Sequence, residues 1–190
     1  WLKVHYPAEF MAAVLSSDMD NTDKVVGFFN EARAMQLEVL PPDVNASRYM
    51  FEAVDARTIR YGLGAVKGVG RGACESIAAE RERAGTFRDL YDFCRRCDAG
   101  KLNRRVLEAL IHAGALDTLG ANRASLMLQL PEVLKATEQL ARDRDAGQVD
   151  LFAAAGTSIG TAEAASAPIA LDLPVCADWS LEQKLAGERD

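Results

Sequence analysis

The sequence has little of several features that mark whole classes of protein. Its 190 residues include only four cysteines, which are too few for the disulfide framework of a small secreted protein. It also has only two histidines. No apolar run approaches the roughly 18–20 residues that a transmembrane helix needs, and nothing resembles a secretory signal. We therefore expect a protein of the reducing cytoplasm with no membrane partner.

Positive charge is also scarce, and it is unevenly placed. The formal net charge of −6 excludes a protein that is basic all over and coats nucleic acid. Residues 60–112 hold 11 Lys and Arg against 7 Asp and Glu, a net of +4, so the remainder of the chain carries −10. Any contact with a polyanion is therefore expected to be local, in the middle of the chain.

Hydrophobic residues are abundant, at 49% of the chain, which is enough to build a core. Before Pro41 their spacing predicts two short amphipathic helices. One begins at Pro7, a good residue for the first turn of a helix. The other begins at Asn21 or Thr22, both of which can cap a helix. The sequence starts at Trp1 rather than at Met, and we expect it to be a piece of a longer protein.

Further along, the predicted structure is again mostly helical. Residues 49–54 and 58–61 have a β-like composition and predict a small hairpin or extended pair. Residues 153–170 are almost wholly Ala, Gly, Ser, Thr and Ile, a composition typical of a flexible tether. Between these regions the hydrophobic spacing predicts four helices, over residues 72–83, 87–97, 102–111 and 123–145.

The first candidate site is a glycine-rich stretch ahead of one of these helices. Gly68 and Gly70 flank one apolar residue, which allows a tight hairpin with outward-facing N–H groups beside a helix N-terminus. Val66, Cys74 and Ile77 are predicted to hold the flanking helices together. The spacing resembles the helix-hairpin-helix motif, which binds the duplex backbone without reading sequence; the alternative is a glycine-rich turn that only joins two helices. The candidate backbone-binding residues are Lys67, Gly68, Val69, Gly70, Arg71 and Gly72.

A partner hairpin is expected at residues 111–117. Leu116 stands where a second glycine would be, so this half is expected to be architectural. Arg104 and Arg105, with Lys101 nearby, are candidates for a contact with a backbone phosphate, although a solvated basic face is the commoner meaning of such a run.

The second candidate site is a short peptide between the long helix and the tether. This peptide is the pentad of residues 148–152, and its large adjacent hydrophobic residues Leu151 and Phe152 need a partner in such a place. The pentad resembles the bacterial sliding-clamp-binding motif, in which two apolar side chains fill a pocket and a glutamine makes orienting hydrogen bonds. Alternatively, the two apolar residues fold back onto the long helix. The candidate residues are Gln148, Asp150, Leu151 and Phe152.

A third feature, Cys94 and Cys97, has the spacing of half a zinc site. A structural zinc site needs four ligands, and the sequence has no second cysteine pair. Both cysteines continue the apolar stripe of Leu90 and Phe93, so we expect core packing and predict no metal site in this chain.

Longer blocks of the sequence resemble one family, the C-family replicative DNA polymerases of bacteria, known as DNA polymerase III alpha subunits. The resemblance covers nearly the whole chain except the tether. Its blocks are residues 5–13, 19–25, 39–45, 59–70, 103–111 and 179–185.

This resemblance implies a domain map and a set of partners. It implies a mainly α fold, in which a helical fingers segment with a small β element is followed by a tandem helix-hairpin-helix domain and a flexible Ala-rich tether. It also implies double-stranded DNA, the sliding clamp (beta subunit) and other holoenzyme subunits as partners, and a cytoplasmic, nucleoid-associated location. The expected ranges are 1–57 for the end of the fingers, 58–146 for the tandem domain, 147–178 for the clamp-binding peptide and tether, and 179–190 for the lead-in to an oligonucleotide-binding domain.

The family's chemistry lies outside this sequence. Its polymerase site is a group of palm aspartates that bind two magnesium ions, and no motif here resembles it. We therefore assign no catalytic residue and no cofactor to this chain, and magnesium to the complete DNA-directed DNA polymerase. Two alternatives remain: an error-prone paralogue of mutagenic repair synthesis, expected to lack the clamp pentad, and a non-catalytic DNA-binding or scaffold module.

Overall fold

The computed structural model describes residues 1–145 and 174–189. This part of the chain is mainly helical, as predicted, and it contains a small sheet of three short strands, β1 (Glu38–Leu40), β2 (Glu52–Ala53) and β3 (Thr58–Arg60). None of its helices is long and apolar enough to cross a membrane. The helices are α1 (Leu2–His5), α2 (Pro7–Ser17), α3 (Thr22–Ala34), α4 (Arg71–Ala84), α5 (Leu90–Arg96), α6 (Arg104–His112), α7 (Arg123–Asp145) and α8 (Leu181–Arg189).

Polar side chains set where several helices begin. Asn21, Asp89 and Asn103 each accept a hydrogen bond from a backbone N–H three residues later, which satisfies a donor that the helix itself leaves unpaired. The last two caps explain why α5 and α6 begin two to three residues later than their hydrophobic spacing predicts.

The sheet has β3 at its centre. The predicted hairpin is confirmed, because β2 pairs antiparallel with β3 and aligns Ala53 with Ile59. On the other edge β1 pairs parallel with β3 and aligns Val39 with Ile59. The sequence analysis missed β1, which is three residues long and directly precedes Pro41.

Two hydrophobic cores lie along the chain. The first joins α2, α3 and the sheet around Met11, Leu15 and Ile59, which are all fully buried. The second joins α4 to α7, and Tyr61 packs against both cores. The large buried residues of the second core include Leu63, Ile77, Leu90, Phe93, Leu107, Leu110, Ile111, Leu116, Leu126 and Leu130.

The loop between β1 and β2 connects the two cores. Val44 is fully buried in the second core, and its carbonyl accepts a hydrogen bond from Arg81 Nη1 at 2.8 Å. The Asn45 side chain both donates to the Phe87 carbonyl, at 3.0 Å, and accepts from the Phe87 N–H, at 2.7 Å. The loop thus holds the first part of the chain against α4 and the turn before α5.

The predicted core packing of the cysteine pair is confirmed. Cys97 is buried in the second core and Cys94 packs against it. Burial raises the pKa of each thiol to about 12, so both stay protonated at neutral pH. They follow Leu90 and Phe93 on one face of α5, as the apolar stripe predicts.

Residues 174–189, called the return segment below, lie against α6 and α7. Gln129 donates to the Pro174 carbonyl and Asn122 to the Cys176 carbonyl, each at 2.9 Å. The Trp179 ring stacks on His112 with a centroid distance of 5.0 Å. The return segment is therefore fixed to the second core at several points.

Replacing Leu110 by Ala tests the second core. Leu110 is fully buried in α6, and we expect a loss of about 2–5 kcal/mol in the free energy of unfolding, because the vacated volume is not refilled. The matched control is Leu128→Ala in α7, where the side chain is 51% exposed. Urea unfolding of both variants should show a large loss for the first alone; equal losses would contradict the assignment of this core.

Candidate nucleic-acid interface

The first hairpin, residues 66–72, follows a single 3-10 turn and leads into α4. Gly68 has φ +88°, in the left-handed region that glycine adopts at little cost. Val69 points inward and is 5% exposed, and its N–H donates to the Val66 carbonyl at 3.0 Å. Val69 therefore anchors the hairpin in the core, and its own amide is already paired. A 3-10 turn, Leu63–Ala65, stands where the sequence suggested a full first helix.

Burial confirms the predicted packing of three apolar residues beneath this hairpin, but they join α4 to a 3-10 turn and not to a second helix. Val66, Cys74 and Ile77 are 9%, 1% and 0% exposed and belong to the same core. They hold the start of α4 against the turn that precedes the hairpin. The hairpin backbone is thus supported from below by apolar packing.

Several backbone amides of this hairpin are unpaired. The N–H groups of Gly68, Gly70, Arg71 and Gly72 have no hydrogen-bond acceptor among residues 1–145 and 174–189. All four residues are exposed, and a Cβ added at any of the three glycines would meet nothing within 4 Å. Unpaired amides at a helix N-terminus form an anion-binding site, so this surface is suited to a phosphate.

Two cationic side chains flank these amides. Lys67 is exposed. Arg71 Nε donates to Glu75 Oε1 at 2.7 Å, and its guanidinium carbon lies 5.5 Å from the centre of the Tyr49 ring. The hydrogen bond with Glu75 is the main cause of a raised pKa for Arg71. The predicted residues Lys67 to Gly72 therefore come together on one exposed face, with the Val69 side chain below it.

Tyr49 supports this hairpin, and the sequence analysis did not single it out. The Tyr49 carbonyl accepts from the Gly64 N–H at 2.9 Å, and the neighbouring Arg48 carbonyl accepts from Leu63 at 2.8 Å. A Cβ on Gly62 would lie 2.5 Å from the Met50 carbonyl carbon, and one on Gly64 would strike the Tyr49 ring. The two glycines permit this close approach, and their spacing is the only sequence signal of it.

The second hairpin, residues 111–117, has a different surface. Its Gly114 also has a positive φ, +78°, but the Gly114 and Ala115 amides donate to carbonyls of α6 at 3.0 and 2.9 Å. Leu116 is fully buried. These two amides are thus used internally, as expected for an architectural hairpin.

Arg123 covers the second hairpin. Its side chain is 10% exposed and lies so close to Gly114 that a Cβ there would collide with it. Its Nε donates to Asp117 at 2.9 Å, and its Nη1 donates to Glu188 at 2.7 Å and to the His112 carbonyl at 3.2 Å. One guanidinium therefore joins the hairpin, α6 and α8.

The other predicted cations lie at the start of α6. Arg104 and Arg105 are both exposed, and Arg104 Nε donates to Glu108 Oε1 at 2.7 Å. Asn103 caps the helix by accepting from the Val106 N–H at 3.1 Å. These two arginines belong to the element that leads into the second hairpin, not to the first hairpin itself.

The predicted clamp-binding residues Gln148, Asp150, Leu151 and Phe152 lie outside the described residues. The described chain approaches them from both sides: α7 ends at Asp145, and the return segment begins at Pro174. Both sides are attached to α7, one as its last turn and the other through Gln129.

Comparison with known families defines the class of protein first. The family model described as "Helix-hairpin-helix motif" matches residues 36–126, a range that contains both hairpins. The part of the chain that contains both hairpins is therefore similar to the helix-hairpin-helix family.

Individual relatives then identify the particular protein that the chain matches. It is 61% identical over 190 residues to DNA polymerase III subunit alpha of Xylella fastidiosa (strain Temecula1 / ATCC 700964), covering 100% of this chain and 15% of that protein. The same subunit of Escherichia coli (strain K12) is 48% identical, with 100% and 16% covered. That of Haemophilus influenzae is 50% identical over 152 residues, with 80% and 13% covered. The chain thus matches one segment of DNA polymerase III alpha subunits, which confirms the resemblance.

Replacing Arg123 by Met tests how the return segment is held. The change removes the donors to Asp117, Glu188 and the His112 carbonyl, and we expect a loss of about 1–3 kcal/mol in the free energy of unfolding. Hydrogen exchange should become faster across residues 174–189. The control is Arg142→Met, since Arg142 forms an exposed pair with Glu138 at 3.7 Å. Unchanged exchange in the Arg123 variant would contradict the role given to this guanidinium.

Proposed function

We propose that this chain is the part of a replicative DNA polymerase alpha subunit that grips duplex DNA by its backbone and connects it to the sliding clamp. The observation that carries the proposal is the set of unpaired, exposed amides at Gly68, Gly70, Arg71 and Gly72, inside a matched helix-hairpin-helix motif. The chain spans about one sixth of the length of the relatives it matches, so the activity of the complete protein is part of the proposal.

The physical basis of the grip is local charge on an acidic protein. The unpaired backbone amides lie at the positive end of α4, and Lys67 and Arg71 are the cationic residues within the same hairpin. Arg104 and Arg105 add a second place for phosphate contact. Phosphate contacts carry no sequence information, so the chain is proposed to bind duplex DNA of any sequence. The net +4 of residues 60–112 is the charge that such an interface uses.

Nucleotidyl transfer is assigned to the complete protein and not to this chain. The relatives are named as DNA polymerase subunits, and such chemistry uses magnesium ions held by aspartates to activate the primer hydroxyl and stabilise the leaving group. Among the described residues no group of three or more His, Cys, Asp or Glu side chains is placed to hold a metal ion. We propose that the catalytic aspartates, and the magnesium they bind, lie elsewhere in the longer protein.

The proposed domain map follows the same assignment. Residues 1–57 would end the fingers, and 58–146 would form the tandem helix-hairpin-helix domain. Residues 147–178 would hold the clamp peptide and the tether, and 179–190 would lead into the next domain. The two cores overlap in sequence around this division, because Ile59 belongs to the first core and Val44 to the second. The proposed cellular location is the nucleoid in the cytoplasm.

Clamp tethering is proposed for the pentad at residues 148–152. Leu151 and Phe152 would enter an apolar pocket of the clamp, with Gln148 and Asp150 contributing polar contacts. The position of the pentad between the long helix and the Ala-rich tether supports this assignment, because a short recognition peptide is displayed at such a place. Tethering raises the effective concentration of a binding partner without any new contact.

The alternatives are an error-prone paralogue of the same family and a non-catalytic module. The pentad favours the replicative form, since the paralogue is expected to lack it in this position. The names of the relatives, at 48–61% identity over the whole chain, favour a polymerase subunit over an unrelated scaffold. Other replicative holoenzyme subunits are the further partners that this assignment implies.

Replacing Gly70 by Val tests the backbone grip. Gly70 has φ −77° and faces open space, so Val fits the fold but covers the unpaired amides. We expect duplex affinity at low salt to fall about tenfold, the magnitude expected for losing charge-assisted hydrogen bonds. Fluorescence anisotropy with a labelled duplex, repeated over a salt series, gives the measurement.

The matched control for that experiment is Gly27→Val in α3, where an added Cβ would also meet nothing within 4 Å. Its duplex affinity should equal that of the unchanged chain. Undiminished binding by the Gly70 variant would place the phosphate contact elsewhere and overturn the proposal.

Replacing Leu151 and Phe152 by Ala tests the clamp assignment. Removing both apolar side chains should abolish measurable binding of the chain to sliding clamp in a calorimetric titration, because such side chains supply most of the energy of a short peptide contact. The control is Leu181→Ala, which removes a side chain that is 72% exposed. If the double variant binds the clamp as tightly as the control, the pentad is not the clamp-binding peptide.

A further inference from the structure

Two helices of the proposed interface each begin with an arginine that pairs with a glutamate four residues later. The first residue of α4 is Arg71 and the first residue of α6 is Arg104. In each helix the arginine Nε donates to the carboxylate of the glutamate four residues later, Glu75 or Glu108, at 2.7 Å. These two Arg–Glu pairs stand at the two places where the interface offers both a helix N-terminus and a cation.

In α4 the pairing directs the arginine away from the phosphate position. A side chain that reaches the residue four positions later runs about one turn, ~5–6 Å, toward the C-terminus of its helix. The unpaired amides of the first hairpin lie at the other end, at and before Arg71. Glu75 therefore holds the Arg71 guanidinium away from the place where a bound phosphate would sit.

The pairs are exposed enough to exchange partners. The side chains of Arg71 and Glu75 are 68% and 60% exposed, and those of Arg104 and Glu108 are 65% and 33% exposed. Exposed ion pairs of this kind are weak, and shift an equilibrium by about two- to fivefold. A phosphate that also accepts hydrogen bonds from several backbone amides can displace the carboxylate, because these charged hydrogen bonds add to its attraction to the arginine.

We infer that Glu75 and Glu108 are internal competitors of the DNA phosphates for Arg71 and Arg104. When duplex DNA binds, each arginine exchanges its glutamate for a phosphate oxygen, and when the DNA leaves, the glutamate takes the arginine back. This inference rests on the proposed function and adds to it the regulation of the same interface. As a consequence, the two glutamates lower the affinity of the interface for duplex DNA, which favours release of one phosphate and capture of the next.

A double-mutant cycle on Arg71 and Glu75 tests this. The probe is a fluorescein-labelled duplex at low salt, bound to the whole 190-residue chain. Glu75→Gln should tighten binding about two- to fivefold. In the Arg71→Met background the same change should give a much smaller gain, because no arginine remains to be released.

Two further variants separate this exchange from simple repulsion between a carboxylate and DNA. Glu75→Asp keeps the charge but shortens the reach to Arg71, and should give part of the gain; simple repulsion would leave it at the unchanged affinity. Glu82→Gln removes a charge from the same helix, where Glu82 is 66% exposed and lies 3.8 Å from Arg48, and reports the gain from removing a carboxylate that does not pair with Arg71. Thermal unfolding of each variant confirms that the fold is kept.

The outcomes distinguish this inference from the function on which it rests. If Gly70→Val binds as well as the unchanged chain, the proposed interface itself is wrong. If Gly70→Val weakens binding but Glu75→Gln gives equal gains with and without Arg71, the interface stands and the exchange is overturned. A gain that depends on Arg71 and is shared in part by Glu75→Asp supports it.

Discussion

The structure depends on where the backbone N–H groups of two glycine-containing hairpins find their acceptors. Buried amides must be paired, since an unpaired one costs as much as a lost hydrogen bond. In the second hairpin the Gly114 and Ala115 amides donate to carbonyls of α6, and Arg123 covers the loop. In the first hairpin Val66 and Val69 are paired and buried, whereas Gly68, Gly70, Arg71 and Gly72 are exposed and their N–H groups have no acceptor among the described residues. The second hairpin, called the closed hairpin below, thus supports the fold. The first hairpin, called the open hairpin below, can receive a hydrogen-bond acceptor from another molecule.

This difference between the hairpins has consequences for the rest of the chain. Because Val69, Cys74 and Ile77 share one core with α6 and α7, the open hairpin has a fixed position relative to the closed one. Because Arg123 and the Trp179–His112 stack attach the return segment to the second hairpin, the return segment has a fixed position relative to both hairpins.

Much of this could be predicted from the sequence because it depends on local patterns. Hydrophobic spacing predicted the helices, Asn21 was recognised as a cap, and the apolar stripe through Phe93 and Cys97 indicated a core rather than a zinc site. The spacing around Gly68 and Gly70 indicated a hairpin before a helix. Each of these signals comes from residues within a few positions of one another.

What the sequence could not show depends on contacts between distant residues. The parallel pairing of β1 with β3 joins positions 20 residues apart, and nothing in Glu38–Leu40 alone predicts it. The contact of Gly64 with Tyr49, and that of Arg123 with Glu188, 65 residues away, are similar cases. Arg123 resembles any other charge at the start of a helix until the fold places Asp117 and α8 around it.

The most direct test of this account is amide NMR of the isotope-labelled chain during titration with a short duplex of arbitrary sequence. The N–H signals of Gly68, Gly70, Arg71 and Gly72 should shift strongly and become protected from exchange at low salt, and the effect should fade as salt is added. The signals of residues 113–117 in the closed hairpin should stay where they are. Shifts confined to the second hairpin, or no shift in the first at any salt concentration, would contradict the account.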